Sequence, residues 1–256
     1  VRLVSYNILD GGVGRGERLA AVIAARQPDV VCLAEASSEA VVREIAEHLQ
    51  MDSIIGPGGR QPVALLSRWP VAWSIDHATL ANSDGWSFLR AGVQIAAKIE
   101  LPIGVVHLTP RAGDADETRR EEQVRQLLDA CAVDRQLGRA HLLAGDFNAN
   151  APGQQIDPEK CKDSTKRAFH ANGGQIPRRA VAMLLAAGYV DTLAAHDPAA
   201  TRTAGSFTTE KPGQRVDYIF AWGSNLKVRD AWIDDSPAAV KASDHFPIGV
   251  DLALNE

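Results

Sequence analysis

The stretch Leu142-Leu143-Ala144-Gly145-Asp146-Phe147-Asn148-Ala149 decides how this chain is read. Its apolar half, Leu142–Ala144, has the pattern of a short buried strand. Two polar side chains follow just past the strand end. Asp146 can ionise and accept a proton or a metal, and Asn148 both donates and accepts hydrogen bonds. Two residues apart in an extended chain, they point the same way. That arrangement suits holding one water molecule from two sides. A second polar cluster, Ser243-Asp244-His245-Phe246-Pro247, lies near the C-terminus beside the apolar Ile248-Gly249-Val250. Together the two clusters point to metal-assisted hydrolysis.

Working outward, the same design recurs: an apolar strand that ends in a polar residue. Ser5-Tyr6-Asn7, Val31-Cys32-Leu33-Ala34-Glu35 and Val105-Val106-His107 all show it. Any one of these ends is an ordinary turn residue; four of them together argue for a shared site. Strands are expected at Val1–Ile8, Val30–Leu33, Val63–Leu66, Val71–Ile75, Phe88–Ile99, Ile103–Leu108, Val216–Phe220, Leu226–Ile233 and Ile248–Leu252. Helices are expected over 15–26, 38–49 (capped by Ser37 or Ser38) and 178–187 (stopped by Gly188). The longest, 116–137, carries the stripe Val124, Leu127, Leu128, Cys131. Residues 151–178 are rich in Gly, Pro and charge, and read as a basic, irregular insertion. No linker or short repeat divides the chain, so residues 1–256 read as one domain. Two β-rich halves with helices suggest two stacked sheets covered by helices on their outer faces.

Composition narrows the field. A hydrophobic fraction of 45% over 256 residues supplies a substantial core. The net charge of −5 argues against broad, purely electrostatic binding to nucleic acid while leaving room for a local basic groove. No apolar run reaches transmembrane length. Cys32, Cys131 and Cys161 form no Cys-x-x-Cys pair, which suits a reducing compartment and a cytoplasmic location. Cys161, in a polar stretch, is expected to be exposed. Gly12-Val13-Gly14-Arg15-Gly16 follows a strand and opens a helix, but its spacing is not that of a dinucleotide-binding loop.

Seven peptides, in order along the chain, carry a resemblance. They are Ser-Tyr-Asn-Ile at 5–8, Leu-Ala-Glu-Ala at 33–36, Ala-Leu-Leu-Ser-Arg at 64–68, Val-His-Leu at 106–108, Gly-Asp-Phe-Asn-Ala at 145–149, Val-Asp-Tyr-Ile-Phe at 216–220 and Ser-Asp-His-Phe-Pro at 243–247. With them the chain resembles the endonuclease/exonuclease/phosphatase superfamily of DNase I-like phosphoesterases. That resemblance implies an α/β (α+β) fold: a four-layer αββα sandwich of two stacked mixed β-sheets flanked by helices. It implies hydrolysis of a phosphate ester by in-line attack of water. Glu35 would be the principal ligand of Mg²⁺ or Mn²⁺, with Asn7 beside it and Asp244 able to reach a metal. Asp146 would orient and deprotonate the water and Asn148 would position it. His245 would contact the phosphate and Asp217 would fix its orientation. His107 would contact the scissile phosphate. Two positions depart from the family's pattern. Ala34 stands where many members carry Gln, which removes a hydrogen bond to the metal-binding Glu. His107 stands where AP endonucleases carry Tyr, which counts against that branch.

For the substrate, Arg111, Lys166 and Arg167 are the candidate phosphate contacts. Trp86, Trp222 and Phe207 are candidates for base stacking, with packing the stronger expectation for each. The leading expectation is a metal-dependent phosphodiesterase or nuclease acting on nucleic acid. The alternative is a phosphatase or phosphodiesterase for a small phosphorylated metabolite or lipid headgroup. A catalytically silent binding scaffold is the third reading.

Overall fold

All five residues of Val30–Ala34 are buried, and a strand with no exposed face needs cover on both sides. The computed structural model describes residues 1–58, 61–80, 86–97 and 99–254, and it supplies that cover. In chain order the elements are β1 (Arg2–Asn7), α1 (Gly16–Ala24), β2 (Val30–Ala34), α2 (Glu39–Leu49), β3 (Asp52–Gly56), β4 (Val63–Ser67), β5 (Val71–Asp76) and α3 (His77–Leu80). There follow β6 (Ser87–Ala96), β7 (Ile99–His107), α4 (Asp114–Ala130), α5 (Ala132–Gln136), β8 (His141–Asp146), α6 (Asp163–Ala171), α7 (Arg179–Ala186) and β9 (Val190–Asp191). The chain closes with α8 (Thr192–His196), β10 (Asp217–Trp222), β11 (Leu226–Ile233), α9 (Pro237–Ala242) and β12 (Ile248–Leu254).

The strands form two mixed six-stranded sheets, ordered β11-β12-β1-β2-β4-β3 and β5-β6-β7-β8-β10-β9. Side chains alternate across each strand. Val30, Cys32 and Leu65 therefore face the second sheet, where they meet Leu101, Ile103, Leu142 and Ile219 in the central core. Val31, Leu33 and Leu66 face the other way, onto Leu19, Ile23, Val42 and Ile45 of α1 and α2. On the far side Phe88, Leu143, Phe147 and Phe220 pack against Val124 and Leu127 of α4 and Val181 and Leu184 of α7. Helix, sheet, sheet, helix is the expected four-layer order.

Strand direction then gathers the polar strand ends. β1 and β2 run parallel, with Asn7 opposite Ala34, so Glu35 emerges beside Asn7. β7 and β8 run parallel, with His107 opposite Asp146. β10 runs antiparallel to β8, so its first residue, Asp217, is the one opposite Asp146. β12 runs antiparallel to β1, which brings the segment before it, Ser243–Pro247, to the same edge. Gly145 is required by this packing. Its φ is 148°, and a Cβ there would stand 1.9 Å from the Val106 carbonyl oxygen.

Several expectations need correction. The strand expected over Phe88–Ile99 is instead a hairpin of β6 and β7, with Lys98 outside the described residues. The helix expected over 116–137 breaks at Cys131, which leaves helical geometry at φ −94°, ψ 3°. β3 was not expected; its first two residues are exposed and weaken its apolar pattern. The 151–178 stretch is not irregular throughout, because it contains α6. Cys161 is 3% exposed, its thiol donating to the Asp157 carbonyl at 3.3 Å. Ser38 does cap α2, accepting from the Val41 N–H at 3.4 Å, and the chain turns after α7 at Gly188 with φ 88°. Among the described residues, no helix is long and apolar enough to cross a membrane.

Candidate active site

Asp146 stands at the centre of the gathered strand ends and is buried. Its Oδ2 accepts from Asn7 Nδ2 at 3.0 Å, a bond that crosses from one sheet to the other. The same oxygen lies 3.7 Å from His107 Nε2 and 3.8 Å from His245 Nε2. Its Oδ1 accepts from the Asn148 backbone N–H at 2.8 Å. Burial, and then repulsion from Asp217, push the Asp146 carboxyl up to about 6; the two imidazoles and the Asn148 N–H pull the other way.

The expected extended pairing of Asp146 with Asn148 is corrected by the backbone. Asn148 sits at φ 49°, a left-handed turn that Asn tolerates. Its amide Nδ2 donates to the Leu108 carbonyl at 3.0 Å. The link to Asp146 is therefore through the main chain. Glu35 is also left-handed, at φ 58°. A long side chain there costs roughly 1–3 kcal/mol. Two contacts hold it: Glu35 O accepts from Gly11 N–H at 2.8 Å, and Oε2 accepts from Asp10 N–H at 2.8 Å. Its other oxygen, Oε1, accepts from Asn7 Nδ2 at 3.1 Å.

His245 is buried against Phe207, ring centroids 4.5 Å apart. Its Nδ1 lies 2.9 Å from Asp217 Oδ2. Burial alone would strip its charge, but Asp217 and Asp146 outweigh it and raise the imidazole to about 9. His245 is thus an imidazolium at neutral pH, Nδ1–H donating to Asp217 and Nε2–H facing the gap toward Asp146. Separations of 3.7–4.0 Å between His107, His245 and the carboxylates are too long for direct hydrogen bonds.

The donor set fits a hard divalent ion. Each Glu35 oxygen accepts a single N–H, and the side chain is 16% exposed. Asp244 Oδ1 is buried without a hydrogen-bond partner, 4.0 Å from His245 Nε2. Carboxylate oxygens with unused lone pairs suit Mg²⁺ or Mn²⁺. Asn7 is a different case. Its Oδ1 accepts from the Leu9 N–H at 3.0 Å and its NH₂ faces the carboxylates. As it stands, Asn7 braces Glu35 and Asp146 rather than offering oxygen to a metal. Asp146, Asp217 and His245 also present ligand atoms within 4.8 Å of one another. The Asp217–His245 hydrogen bond already occupies two of those groups, whereas each Glu35 oxygen accepts one N–H only.

Two cavities flank the centre. One of about 190 Å³ is lined by Arg111, Asn148 and Phe207; the other, of about 520 Å³, is lined by Arg15 and Asp244. Arg111 follows the loop after His107, where Arg120 Nη1 clamps the Thr109 and Arg111 carbonyls at 2.8 and 2.6 Å. Lys166 and Arg167 are not brought to the site. Lys166 pairs with Glu159 and Arg167 is exposed, and neither lines a cavity described here. The cation that does arrive is Lys162, which lines both cavities. Its ammonium is 2.9 Å from Asp244 Oδ2 and 4.2 Å from the centre of the Phe207 ring. Sequence marked it only as one basic residue among several. Trp86 is buried and stacks on Phe88, and Trp222 stacks on His141, so both are packing residues.

Comparisons with known proteins identify the family and the fold. The endonuclease/exonuclease/phosphatase family matches residues 4–245. An endonuclease/exonuclease/phosphatase from Beutenbergia cavernae superposes with TM-score 0.73 at 21% identity, covering 100% of this chain and 72% of that one. TDP2 of D. rerio, complexed with a single-strand DNA product, gives 0.70 at 18% identity, over 99% and 98%. An AP endonuclease from Archaeoglobus fulgidus gives 0.66 at 20%, over 100% of both chains. No curated protein matches by sequence. The chain belongs to the endonuclease/exonuclease/phosphatase family and is a phosphoester hydrolase of the DNase I-like fold.

Proposed function

We propose that this protein is a divalent-metal-dependent phosphodiesterase acting on nucleic acid, with residues 1–256 working as one domain. The observation that carries the reading is the geometry of His245, hydrogen-bonded to Asp217 at 2.9 Å and facing buried Asp146 at 3.8 Å. An acid and a base side by side at that distance would serve one water and one phosphate lying across both. Glu35 would hold the ion, with Asp244 within reach. The ion would neutralise phosphoryl oxygens and ease in-line attack.

The residues of the chain do the rest. Asp146 receives the proton of the attacking water, and Asn7 and the Asn148 N–H keep its carboxylate aimed. His245 donates from Nε2–H to a phosphoryl oxygen, and Asp217 stabilises the charge. His107 faces the same oxygen from the neighbouring sheet. Arg111, at the smaller cavity, supports the phosphate chain. Nucleic acid is favoured because a similarly folded protein has been seen with a single-strand DNA product. A small phosphorylated metabolite or lipid headgroup remains the second reading, because cavities of about 190 and 520 Å³ would seat one. The three cysteines are free and buried, which fits a reducing compartment such as the cytoplasm.

A panel of single-stranded DNA, duplex DNA, RNA, an inositol phosphate and nucleotide monophosphates, each with Mg²⁺, Mn²⁺ or EDTA, tests the proposal. EDTA-sensitive cleavage of a polymer is expected. Turnover confined to a mononucleotide or an inositol phosphate would favour the second reading.

A further inference from the structure

The cavity of about 520 Å³ opens beside Asp244, where the loop after β1, the 208–211 turn and α9 meet. It reaches the catalytic centre through Asp244, whose Oδ1 is 4.0 Å from His245 Nε2. Four cations line it: Arg15, Lys162, Lys211 and Lys241. The opposing carboxylates are Asp163, Glu210 and Asp244, and of these only Asp244 forms an ion pair with a lining cation, Lys162.

The other three cations make no ion pair among the described residues, and the lining carries four cations against three carboxylates. Arg15 is half-buried and spends its guanidinium on the neutral carbonyls of Leu9 and Ala242. Lys211 and Lys241 are exposed and make no ion pair among the described residues. Thr208 adds a hydroxyl. Its Oγ1 accepts from the Lys211 N–H at 3.1 Å, which leaves its own O–H to donate. A lining with more cations than carboxylates, three of those cations outside any ion pair, and a free donor in a concave site attract an anion with several acceptor oxygens.

We propose that this cavity is a second anion site, which takes the phosphate adjacent to the scissile one. It deepens the phosphodiesterase reading and rests on it. The preferred substrate is then a phosphodiester that carries a further phosphate, rather than an isolated ester. The second contact is intramolecular once the scissile phosphate is seated, so even a modest contact raises affinity. Lys162 is the hinge of the arrangement, since it lines both cavities and lies between Asp244 and Phe207.

The test is titration calorimetry in Mg²⁺ on the Asp146→Asn protein, which removes the base with little change in side-chain volume. The probes are a dinucleoside monophosphate and the same dinucleotide phosphorylated at its 5′ or its 3′ end. One of the two added phosphates should lower Kd about tenfold, the effect of a good charge-assisted contact. Adding Lys211→Ala and Lys241→Ala should bring the ratio of the two Kd values toward one; both side chains are exposed, so folding is not at stake. No gain from a phosphate at either end, or a gain that survives the double substitution, overturns the proposal. Wild-type turnover of the dinucleotide and of a single-stranded DNA oligonucleotide is read separately. Its absence, with the binding preference intact, would contradict the phosphodiesterase reading and leave the second anion site standing.

Discussion

The strand-borne centre and the 151–178 flank are built on opposite terms. Asn7, His107, Asp146, Asp217 and His245 are all buried, on or beside strands. Asn7, Asp146, Asp217 and His245 are each held by side-chain hydrogen bonds, and they cannot move without leaving a buried polar group unpaired. Lys162, Lys166 and Arg167 are held by surface pairs or by none, where water and salt weaken every contact. The difference teaches a division of labour. Groups that must be aimed at a reacting atom are locked by the sheets. Groups proposed to choose among substrates would sit on the more exposed flank.

If that division holds, removing a member of the centre has the largest effect. Asp146→Asn and His245→Ala should each lower kcat/KM by at least about 10³-fold, the combined range of base and electrostatic losses. Steady-state kinetics on an oligonucleotide would show it. A loss below about tenfold for either would break the comparison. Next in size, Glu35→Gln should weaken Mg²⁺ binding by at least about tenfold in a calorimetric titration, since it removes the anchoring charge. Undiminished affinity would shift the metal to the Asp146, Asp217 and His245 cluster.

The flank sharpens the contrast. Lys162→Ala should raise KM about fivefold with kcat nearly unchanged, while Lys166→Ala and Arg167→Ala should alter KM by less than about twofold. Equal effects from all three would mean that the segment acts as a diffuse charged surface.

These three cations also show where sequence reading stops. The strand ends were legible because each lies in a short motif and strand direction carries it to the shared edge. Asn7, Glu35, His107, Asp146, Asp217 and His245 all arrive there. Register was not legible, so the Asn7 bridge between the sheets and the main-chain link of Asn148 were not foreseen. In the flank, α6 buries only Thr165, too little to mark a helix by pattern. Without the helix its phase is unknown, and Lys162 at the N-cap cannot be told from Lys166 and Arg167 a turn later. α9 was hidden for a related reason: six residues, half of them Ala, carry no clear stripe.

The smallest effect is on stability without metal. His245 is raised in the folded protein to about 9. Its contribution is therefore complete below the unfolded value, about 6.5, and is lost as pH rises through about 9. Asp146 is raised to about 6, so its contribution is present below the unfolded value, about 3.9, and fades as pH rises through about 6. The Tm of the EDTA-treated protein should fall across both windows. Asp146→Asn should remove the lower step and shrink the upper one, because the Asp146 charge is one of the two that hold the imidazolium. A Tm that climbs between pH 7 and 9 would contradict the buried imidazolium.

The central claim is that Glu35 and His245 serve one metal-dependent hydrolysis. The most direct measurement is cleavage of a single-stranded DNA oligonucleotide by wild type, Glu35→Ala and His245→Ala, each in Mg²⁺ and in EDTA, with thermal melts to confirm folding. The expected result is turnover by wild type in Mg²⁺ alone, with both folded variants inactive. Turnover in EDTA, or retained turnover in both variants, would contradict it.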